Sequence, residues 1–174
     1  MALVVEDGTG LADADSYVAV ADVTSYLTQY HPAADVTTWT ALTTAEQERC
    51  CRYAARWTDS TYGSRLPGCR INATMARLFP RLQAQDWEGY AIEDDDVPTC
   101  WLQANCEMAF RVGQGDDPLA DVTESSTVMS ESVTVGPITV SEQYQSGKNV
   151  VKRYPVIDRL LSRLFGSGSY VYPG

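Results

Sequence analysis

The residues whose types and spacing come closest to a chemical site are four consecutive acids, Glu93, Asp94, Asp95 and Asp96. A metal site needs oxygen ligands that converge from several elements, and a catalytic carboxylate pair needs a cleft that shifts its pKa values. Consecutive side chains instead point in different directions. Pro98 and an apolar run follow, so the acids precede a helix N-terminus, where the helix dipole favours negative charge. We therefore interpret them as acidic surface with Asp95 or Asp96 as the helix cap; a bound divalent ion is the alternative.

The sequence contains no nucleophilic or cofactor-binding motif. Its single histidine, His31, is followed by Pro32 and cannot easily serve a Ser or Cys triad. G-x-S-x-G, G-x-G-x-x-G and G-x-x-x-x-G-K are all absent. The cysteines form no C-x-x-C pair, which argues against zinc and for reduced thiols. They are Cys50, Cys51, Cys69, Cys100 and Cys106. We therefore predict a protein that is not an enzyme and that uses no cofactor and no metal.

The elements that must position these residues are predicted mainly from apolar spacing. In the first helix Ser16 is the predicted N-cap, and apolar residues recur at helical spacing until His31 ends it. The second helix opens with a capping box from Thr43 to Glu46 and continues to Gly63. We interpret the arginines on its outer side, Arg49, Arg52 and Arg56, as a solvated face; contact with a neighbouring subunit is the alternative.

A long loop and a third helix are predicted next. Residues 64–92 form an ordered loop with one helical turn over 72–78, held by apolar anchors. The predicted anchors are Leu78, Phe79, Leu82, Trp87, Tyr90 and Ile92. The third helix has Pro98 in its first turn, where the missing N–H costs nothing, and it ends in the glycine-containing stretch 113–118.

The fourth predicted helix, from Tyr154 to Gly166, separates apolar and basic residues onto opposite faces. Its apolar stripe consists of Val156, Ile157, Leu160, Leu161, Leu164 and Phe165. Arg159 and Arg163 lie on the other face. Such a helix either folds back into the core or docks into a groove on a partner, and the pattern leaves both open.

Between Glu131 and Tyr144 the apolar period changes to two, which predicts a β-hairpin. Gly136 and Pro137 stand centrally and suit a type II′ turn. The alternating apolar residues are Val133, Val135, Ile138 and Val140. Because an isolated hairpin is marginal in water, we expect it to pack on a helix or on another chain.

Charge is distributed unevenly along the chain. Residues 1–124 carry 20 acids and 8 basic residues, and residues 125–174 carry 3 acids and 5 basic residues, so the net charge of −10 is the sum of −12 and +2. The acidic body would repel nucleic acid, whereas the basic end could dock an acidic partner. No apolar run approaches the roughly 18 residues of a membrane span, and no signal peptide opens the chain. We therefore expect a cytoplasmic origin and no membrane contact.

These elements predict a mainly α fold, a small helical bundle with an appended β-hairpin and a C-terminal docking helix or arm. The predicted divisions are a bundle over residues 1–113 that includes the loop 64–92, a linker and hairpin over 114–147, and a helix with a tail arm over 148–174.

Several stretches, in order along nearly the whole chain, resemble the head–tail connector proteins of tailed phages, also called adaptor, head-completion or neck proteins. These stretches are VVEDGTGLADADSYVAVADVTSYL, WTALTTAEQERCCRYAARWTDSTYG, RLFPRLQAQDWEGYAIEDDDVPTCWLQANCEMAF, ESVTVGPITVSEQY and YPVIDRLLSRL. Members of that family are sometimes labelled DnaT-like single-stranded-DNA-binding proteins, a label that implies a different role.

The resemblance to connectors implies a structural virion protein that forms a twelve-subunit ring beneath the portal. The implied partners are further copies of the chain, the portal protein, a tail-side neck or terminator protein, and genomic DNA that passes through the channel without specific binding. The implied location is the virion neck, after assembly in the host cytoplasm.

Three groups of residues receive roles from this resemblance. The portal-docking candidates are Lys148, Lys152, Arg153, Tyr154, Ile157, Arg159, Leu160, Leu161, Arg163, Leu164 and Phe165. The candidates for contacts between subunits or with the tail are Val133, Val135, Gly136, Pro137, Ile138 and Val140. The acidic channel candidates are Glu93, Asp94, Asp95 and Asp96.

The alternative interpretation is a DnaT-like replication protein that binds single-stranded DNA. The chain has 10 tyrosines, and aromatic rings can stack on bases. Its candidate surface is the basic patch Lys148, Lys152, Arg153, Arg159 and Arg163. Stacking platforms normally lie in a basic groove, whereas the aromatic residues here fall on predicted core faces or beside acids. The sequence therefore favours the connector over the DNA-binding protein.

Overall fold

A computed structural model describes residues 2–120, 130–135, 138–143 and 153–165, with backbone alone described in 130–143. The described helices are α1 (Val20–Tyr30), α2 (Ala33–Thr40), α3 (Thr44–Tyr62), α4 (Thr99–Gly113) and α5 (Pro155–Phe165). The strands form two antiparallel pairs, β1 (Cys69–Arg70) with β2 (Arg81–Leu82) and β3 (Ser130–Val135) with β4 (Ile138–Gln143). The predicted mainly α fold with a β-hairpin is confirmed.

Helix α4 is the centre of the main compact unit, which consists of residues 1–118 together with the chain from 154 onward. Helices α1, α3 and α5 all pack against it. The largest fully buried side chains come from every part of this unit and include Leu27, Trp39, Phe79, Trp101, Met108, Ile157 and Leu161. Residues 119–153 form a second unit.

Helix α1 starts later than its predicted cap. Its N-cap is Ala19, whose backbone N–H donates to the Asp22 carboxylate at 2.8 Å. Ser16 is fully buried, and its hydroxyl donates to the carbonyl of Val18 at 3.0 Å. The prediction of Ser16 as the cap is therefore wrong, because that hydroxyl is used inside the core.

Helix α2 was not predicted from the sequence. Three of its eight residues are threonine, which has a low helix propensity, so the local signal is weak. Contacts with the rest of the core stabilise this helix in place of a high helix propensity. Trp39 is fully buried, its indole N–H donates to the Thr24 hydroxyl at 3.1 Å, and its carbonyl accepts from the Gln47 amide at 2.9 Å.

The capping box of α3 is confirmed in full. The Thr43 hydroxyl oxygen accepts from the backbone N–H of Glu46 at 3.4 Å, and the Glu46 carboxylate accepts from the backbone N–H of Thr43 at 2.8 Å. The helix ends at Gly63, as predicted. Helix α4 begins after Pro98, its N-cap, and no side chain caps it. The predicted cap at Asp95 or Asp96 is therefore wrong.

Residues 64–92 form an ordered loop that begins with a 3-10 helix, Gly63–Arg65, and continues in turns and short bridges. Near Asn72 the side-chain carbonyl accepts from the backbone N–H groups of Thr74 and Met75, which fixes a turn where a helical turn was predicted. Arg81 is almost fully buried, and its guanidinium donates to the carbonyls of Pro67, Gly68 and Leu78. These bonds fasten the loop to itself.

The N-terminal segment folds around the buried carboxylate of Glu6. This carboxylate accepts from the backbone N–H groups of Gly8, Gly10 and Leu11 at 2.8–3.1 Å. Gly8 has φ +95°, and a side chain there would collide with the carbonyl of Asp95. A glycine is required because the N-terminal turn lies directly against the acidic run.

In the hairpin, Val133 pairs with Val140 and Val135 pairs with Ile138. Gly136 and Pro137, for which a type II′ turn was predicted, lie outside the described residues. Among the described residues, no helix has the length and apolar character that a bilayer crossing demands.

Candidate functional site

Helix α5 presents a basic face because its apolar face is fixed in the core. Ile157, Leu161 and Leu164 are buried with at most 3% exposure, whereas Arg159 and Arg163 are exposed one helical turn apart. Of the two alternatives left open by the sequence, the structure has the core helix. The centre of the apolar stripe is used in folding, although Val156 at its start is 40% exposed, and the arginine face is the charged surface that the helix presents.

Contacts at both ends of α5 hold that face in place. At its start, the Tyr154 ring meets Trp57 edge to face at 5.3 Å between centroids. One turn later, the Tyr62 hydroxyl donates to the Asp158 carboxylate at 2.7 Å. At its end, Phe165 stacks on Tyr62 at 6.1 Å. The arginines therefore project from a rigid helix rather than from a free arm.

Four other arginines of the described residues, among them Arg81 in the loop, are engaged in ion pairs or carbonyl contacts. Arg52 lies 3.1 Å from Asp15, Arg77 lies 3.3 Å from Asp59, and Arg111 lies 3.5 Å from Glu107. Within residues 2–120 and 153–165, by contrast, Arg159 and Arg163 have no carboxylate at ion-pair distance. The exposed arginines of α3, Arg49 and Arg56, likewise have no carboxylate at ion-pair distance within these residues.

The loop between β2 and α4 carries two exposed aromatic rings. Trp87 is 58% exposed and Tyr90 is 70% exposed, so their prediction as core anchors is wrong. Burial raises the pKa of the Cys100 thiol at the start of α4; the charge of Arg163 lowers that pKa and the charge of Asp86 raises it.

The four acids near this loop are all exposed. The Asp94 carboxylate accepts from the backbone N–H of Gln83 at 3.1 Å, while Glu93, Asp95 and Asp96 form no side-chain hydrogen bond or ion pair within the described part of the chain. No three His, Cys, Asp or Glu side chains in residues 2–120 and 153–165 are grouped so as to hold a metal ion. The interpretation as acidic surface therefore agrees with their exposure.

Two buried polar clusters lie inside the bundle and are closed to ligands. In the first, the Tyr17 hydroxyl donates to Asp59 at 2.6 Å and accepts from the backbone N–H of Leu78, while Arg77 pairs with the same carboxylate. Burial raises the pKa of Asp59 to about 6, against the lowering effects of Tyr17 and Arg77. This cluster ties the loop after α3 to the N-terminal segment.

The second cluster surrounds Glu107, which is 3% exposed. Tyr26 donates to its carboxylate at 3.1 Å, and His31 Nε2 lies 2.8 Å from the same oxygen. Burial of the His31 ring opposes protonation, but hydrogen bonds to Asp35 and Glu107 outweigh it and raise the pKa of His31. The charged groups satisfy one another, which is the usual condition of buried charges in a core.

Comparison with known proteins then decides between the two interpretations of the sequence. Residues 1–172 match a single protein family, described as "Putative DnaT-like ssDNA binding protein". The chain belongs to the DnaT-like family. No curated protein and no solved structure matches it.

This membership contradicts the preferred interpretation of the sequence. The matched family is described by single-stranded DNA binding, and nothing found here supports a head–tail connector, a portal-docking arm or a virion component. The connector assignment is therefore wrong, and the alternative was the better choice. The error came from the net negative charge of residues 1–124, which was taken as evidence against DNA binding. The arginines of α5 are nevertheless exposed.

The residues predicted to dock on a portal differ in their exposure. Of the former docking candidates, Tyr154, Ile157, Leu161 and Leu164 are buried in the core, so a partner does not reach them. Arg153, Arg159 and Arg163 are exposed. Lys148 and Lys152 lie outside the described residues.

Proposed function

We propose that this member of the DnaT-like family binds single-stranded DNA through the arginine face of helix α5. The observation that carries the proposal is the pair Arg159 and Arg163, both exposed and both without a carboxylate at ion-pair distance among the described residues. A guanidinium is the side chain that best matches a phosphate, because it donates two parallel hydrogen bonds.

The spacing of the two arginines suits a charged strand. Residues four apart on a helix have their Cβ atoms about 6 Å apart on one face, so both guanidinium groups can contact one backbone. Their helix is anchored by Ile157 and Leu161, so little order has to be created on binding.

The charge distribution restricts where DNA can bind. A net charge of −10 repels phosphates from most of the surface, whereas residues 125–174 carry a net charge of +2. Because phosphate binding releases counterions, we expect a weak, salt-sensitive interaction confined to the basic face.

The test compares two double variants in the full chain. Arg159→Gln with Arg163→Gln removes the α5 pair, and Arg49→Gln with Arg56→Gln removes the exposed α3 pair as a control of equal charge. Fluorescence anisotropy with labelled oligo(dT) is recorded over a range of salt concentrations. We expect the α5 variant to bind about tenfold or more weakly and to lose about 1.4 from the slope of log K against log salt, since each phosphate contact on a single strand contributes about 0.7.

The control variant should keep both its affinity and its salt slope. Equal losses in the two variants would mean that general charge, not the α5 face, governs binding. No binding of oligo(dT) by the wild-type chain at low salt would overturn the proposed function itself.

A further inference from the structure

The loop over residues 83–96, here called the acid–aromatic loop, exposes two rings that a folded chain normally buries. Trp87 is 58% exposed and Tyr90 is 70% exposed. The same loop also contains an open depression, which is partly apolar through Ala84, Ala91 and Ile92 and is not lined by either ring. Exposed aromatic rings are typical of an interaction surface.

The turn that carries Trp87 and Tyr90 is ordered by hydrogen bonds. The backbone N–H of Asp86 donates to the Tyr90 carbonyl at 2.9 Å, and the N–H of Ile92 donates to the Ala84 carbonyl at 2.9 Å. The Asp86 carboxylate also accepts from the N–H groups of Glu88 and Tyr90 at 2.9 Å. The loop is therefore ordered before any partner arrives, which lowers the entropy cost of binding.

The charge of the loop is entirely negative. It contains six carboxylates and no Lys or Arg. Asp86 and Asp94 each have an oxygen that accepts backbone hydrogen bonds. The other four are exposed and make no side-chain hydrogen bond or ion pair within the described residues; they are Glu88, Glu93, Asp95 and Asp96.

We propose that the acid–aromatic loop docks an arginine- or lysine-rich segment of another protein. A cation is attracted to the face of an indole or phenol ring, and the surrounding carboxylates add charge-assisted hydrogen bonds. Arg65 over the Phe165 ring, at 4.5 Å from its centroid, is an internal example of the same contact.

The same features argue against two other occupants. Six carboxylates repel a phosphate backbone, so single-stranded DNA is disfavoured at this loop although it is proposed for the α5 face. A second copy of the chain carries a net charge of −10 and is repelled as a whole. A basic segment is the occupant whose charge and chemistry match both the rings and the acids.

The test uses a labelled short peptide of alternating Arg and Gly, with anisotropy as the readout. Trp87→Ala with Tyr90→Ala should weaken binding by about tenfold or more. The matched control is Tyr30→Ala, which removes a ring that is 62% exposed on α1 and should leave affinity unchanged. Trp87→Phe with Tyr90→Phe keeps both rings and should restore most of the binding.

The charge contribution is measured separately. Glu88→Gln with Glu93→Gln should reduce the salt dependence of peptide binding. Arg159→Gln with Arg163→Gln should not weaken peptide binding, and the alanine variant of the loop should not weaken oligo(dT) binding. Failure at one surface is thereby distinguishable from failure at the other.

Three outcomes would overturn the proposal. If neither Tyr30→Ala nor the loop variant loses affinity, the peptide is attracted by the acidic protein in general and not by the rings. If oligo(dT) binding falls with Trp87 and Tyr90, the loop belongs to the nucleic-acid surface. If light scattering shows self-association that the loop variant abolishes, the occupant is a second copy.

Discussion

At the scale of single residues, the surroundings of Glu107 show how this core accommodates charge. The carboxylate receives hydrogen bonds or ion pairs from Tyr26 on α1, His31 after α1 and Arg111 on its own helix. Asp35 on α2 holds the other ring nitrogen of His31 at 2.9 Å. The imidazole of His31 thus links α1, α2 and α4, so its protonation state affects how stably these helices pack together.

We expect His31 to make stability depend on pH above neutrality. Its pKa is raised in the folded chain by Asp35 and Glu107, against the opposing effect of burial. A raised pKa adds stability that is complete below the unfolded value of about 6.5 and is lost as the pH rises through the folded value, at about 1.4 kcal/mol for each pKa unit of difference. The free energy of unfolding in urea, measured from pH 6 to pH 9, should therefore decline.

His31→Gln isolates this effect. The difference in unfolding free energy between wild type and variant should be largest near pH 6 and should shrink as the pH rises. Asp59 titrates in a lower window, since its pKa of about 6 lies above the value of 3.8 for an unperturbed Asp, and its effect is common to both chains. A difference that stays constant from pH 6 to pH 9 would contradict the predicted role of His31.

At the scale of elements, the ends of the helices are where sequence and structure agree best and also where they diverge. The capping box at Thr43 and Glu46 was predicted because both side chains act within one turn. The error at Ser16 has the opposite cause, because its hydroxyl also lies near the carbonyl of Cys51, 35 positions away along the chain. Local patterns predict local hydrogen bonds, and distant ones leave no local signal.

Thr43→Ala should lower the free energy of unfolding by about 1 kcal/mol, because the N-cap hydroxyl and its contacts with Glu46 are lost. The matched control is Thr44→Ala, one residue inside the helix, where alanine has the higher helix propensity and stability should not fall. Urea unfolding followed by circular dichroism measures both. Equal losses would show that the capping box contributes nothing beyond its neighbour.

The misplaced aromatic residues have a similar explanation. Trp87 and Tyr90 were predicted as anchors because large aromatic residues are usually buried. Their neighbours contained the opposite signal, since Asp86, Glu88 and Gly89 are residues of a tight, solvated turn. If the turn residues had been given more weight than the aromatic side chains, both Trp87 and Tyr90 would have been predicted as exposed.

At the scale of the whole molecule, the return of α5 to the bundle determines what the chain can present. Its buried residues complete a core that also contains Trp57 from α3 and Trp101 from α4. The four predicted helices could be derived from spacing alone, although two residues assigned to their apolar faces, Tyr30 and Val156, are exposed. The choice between a core helix and a docking arm could not be made from the sequence, because the same amphipathic pattern fits burial in the chain's own core and docking into a groove on another protein.

Leu161→Ala should destabilise the main unit by about 2–5 kcal/mol, since the side chain is fully buried and its removal leaves a cavity. Leu160→Ala, at the neighbouring half-buried position, is the control and should cost clearly less. Thermal unfolding of both variants measures the difference. Equal small losses would contradict the docking of α5 in the core.

Because α5 belongs to the main unit, the stretch Leu119–Arg153 lies between two parts of that unit along the chain. Because the chain leaves the bundle after Pro118 and re-enters it at Tyr154, this stretch is an insertion into one domain, fastened at both ends. The entropy of closing such a loop grows slowly with its length, by about 0.6 kcal/mol for each doubling. A change in the length of this insertion should therefore cost the bundle little stability.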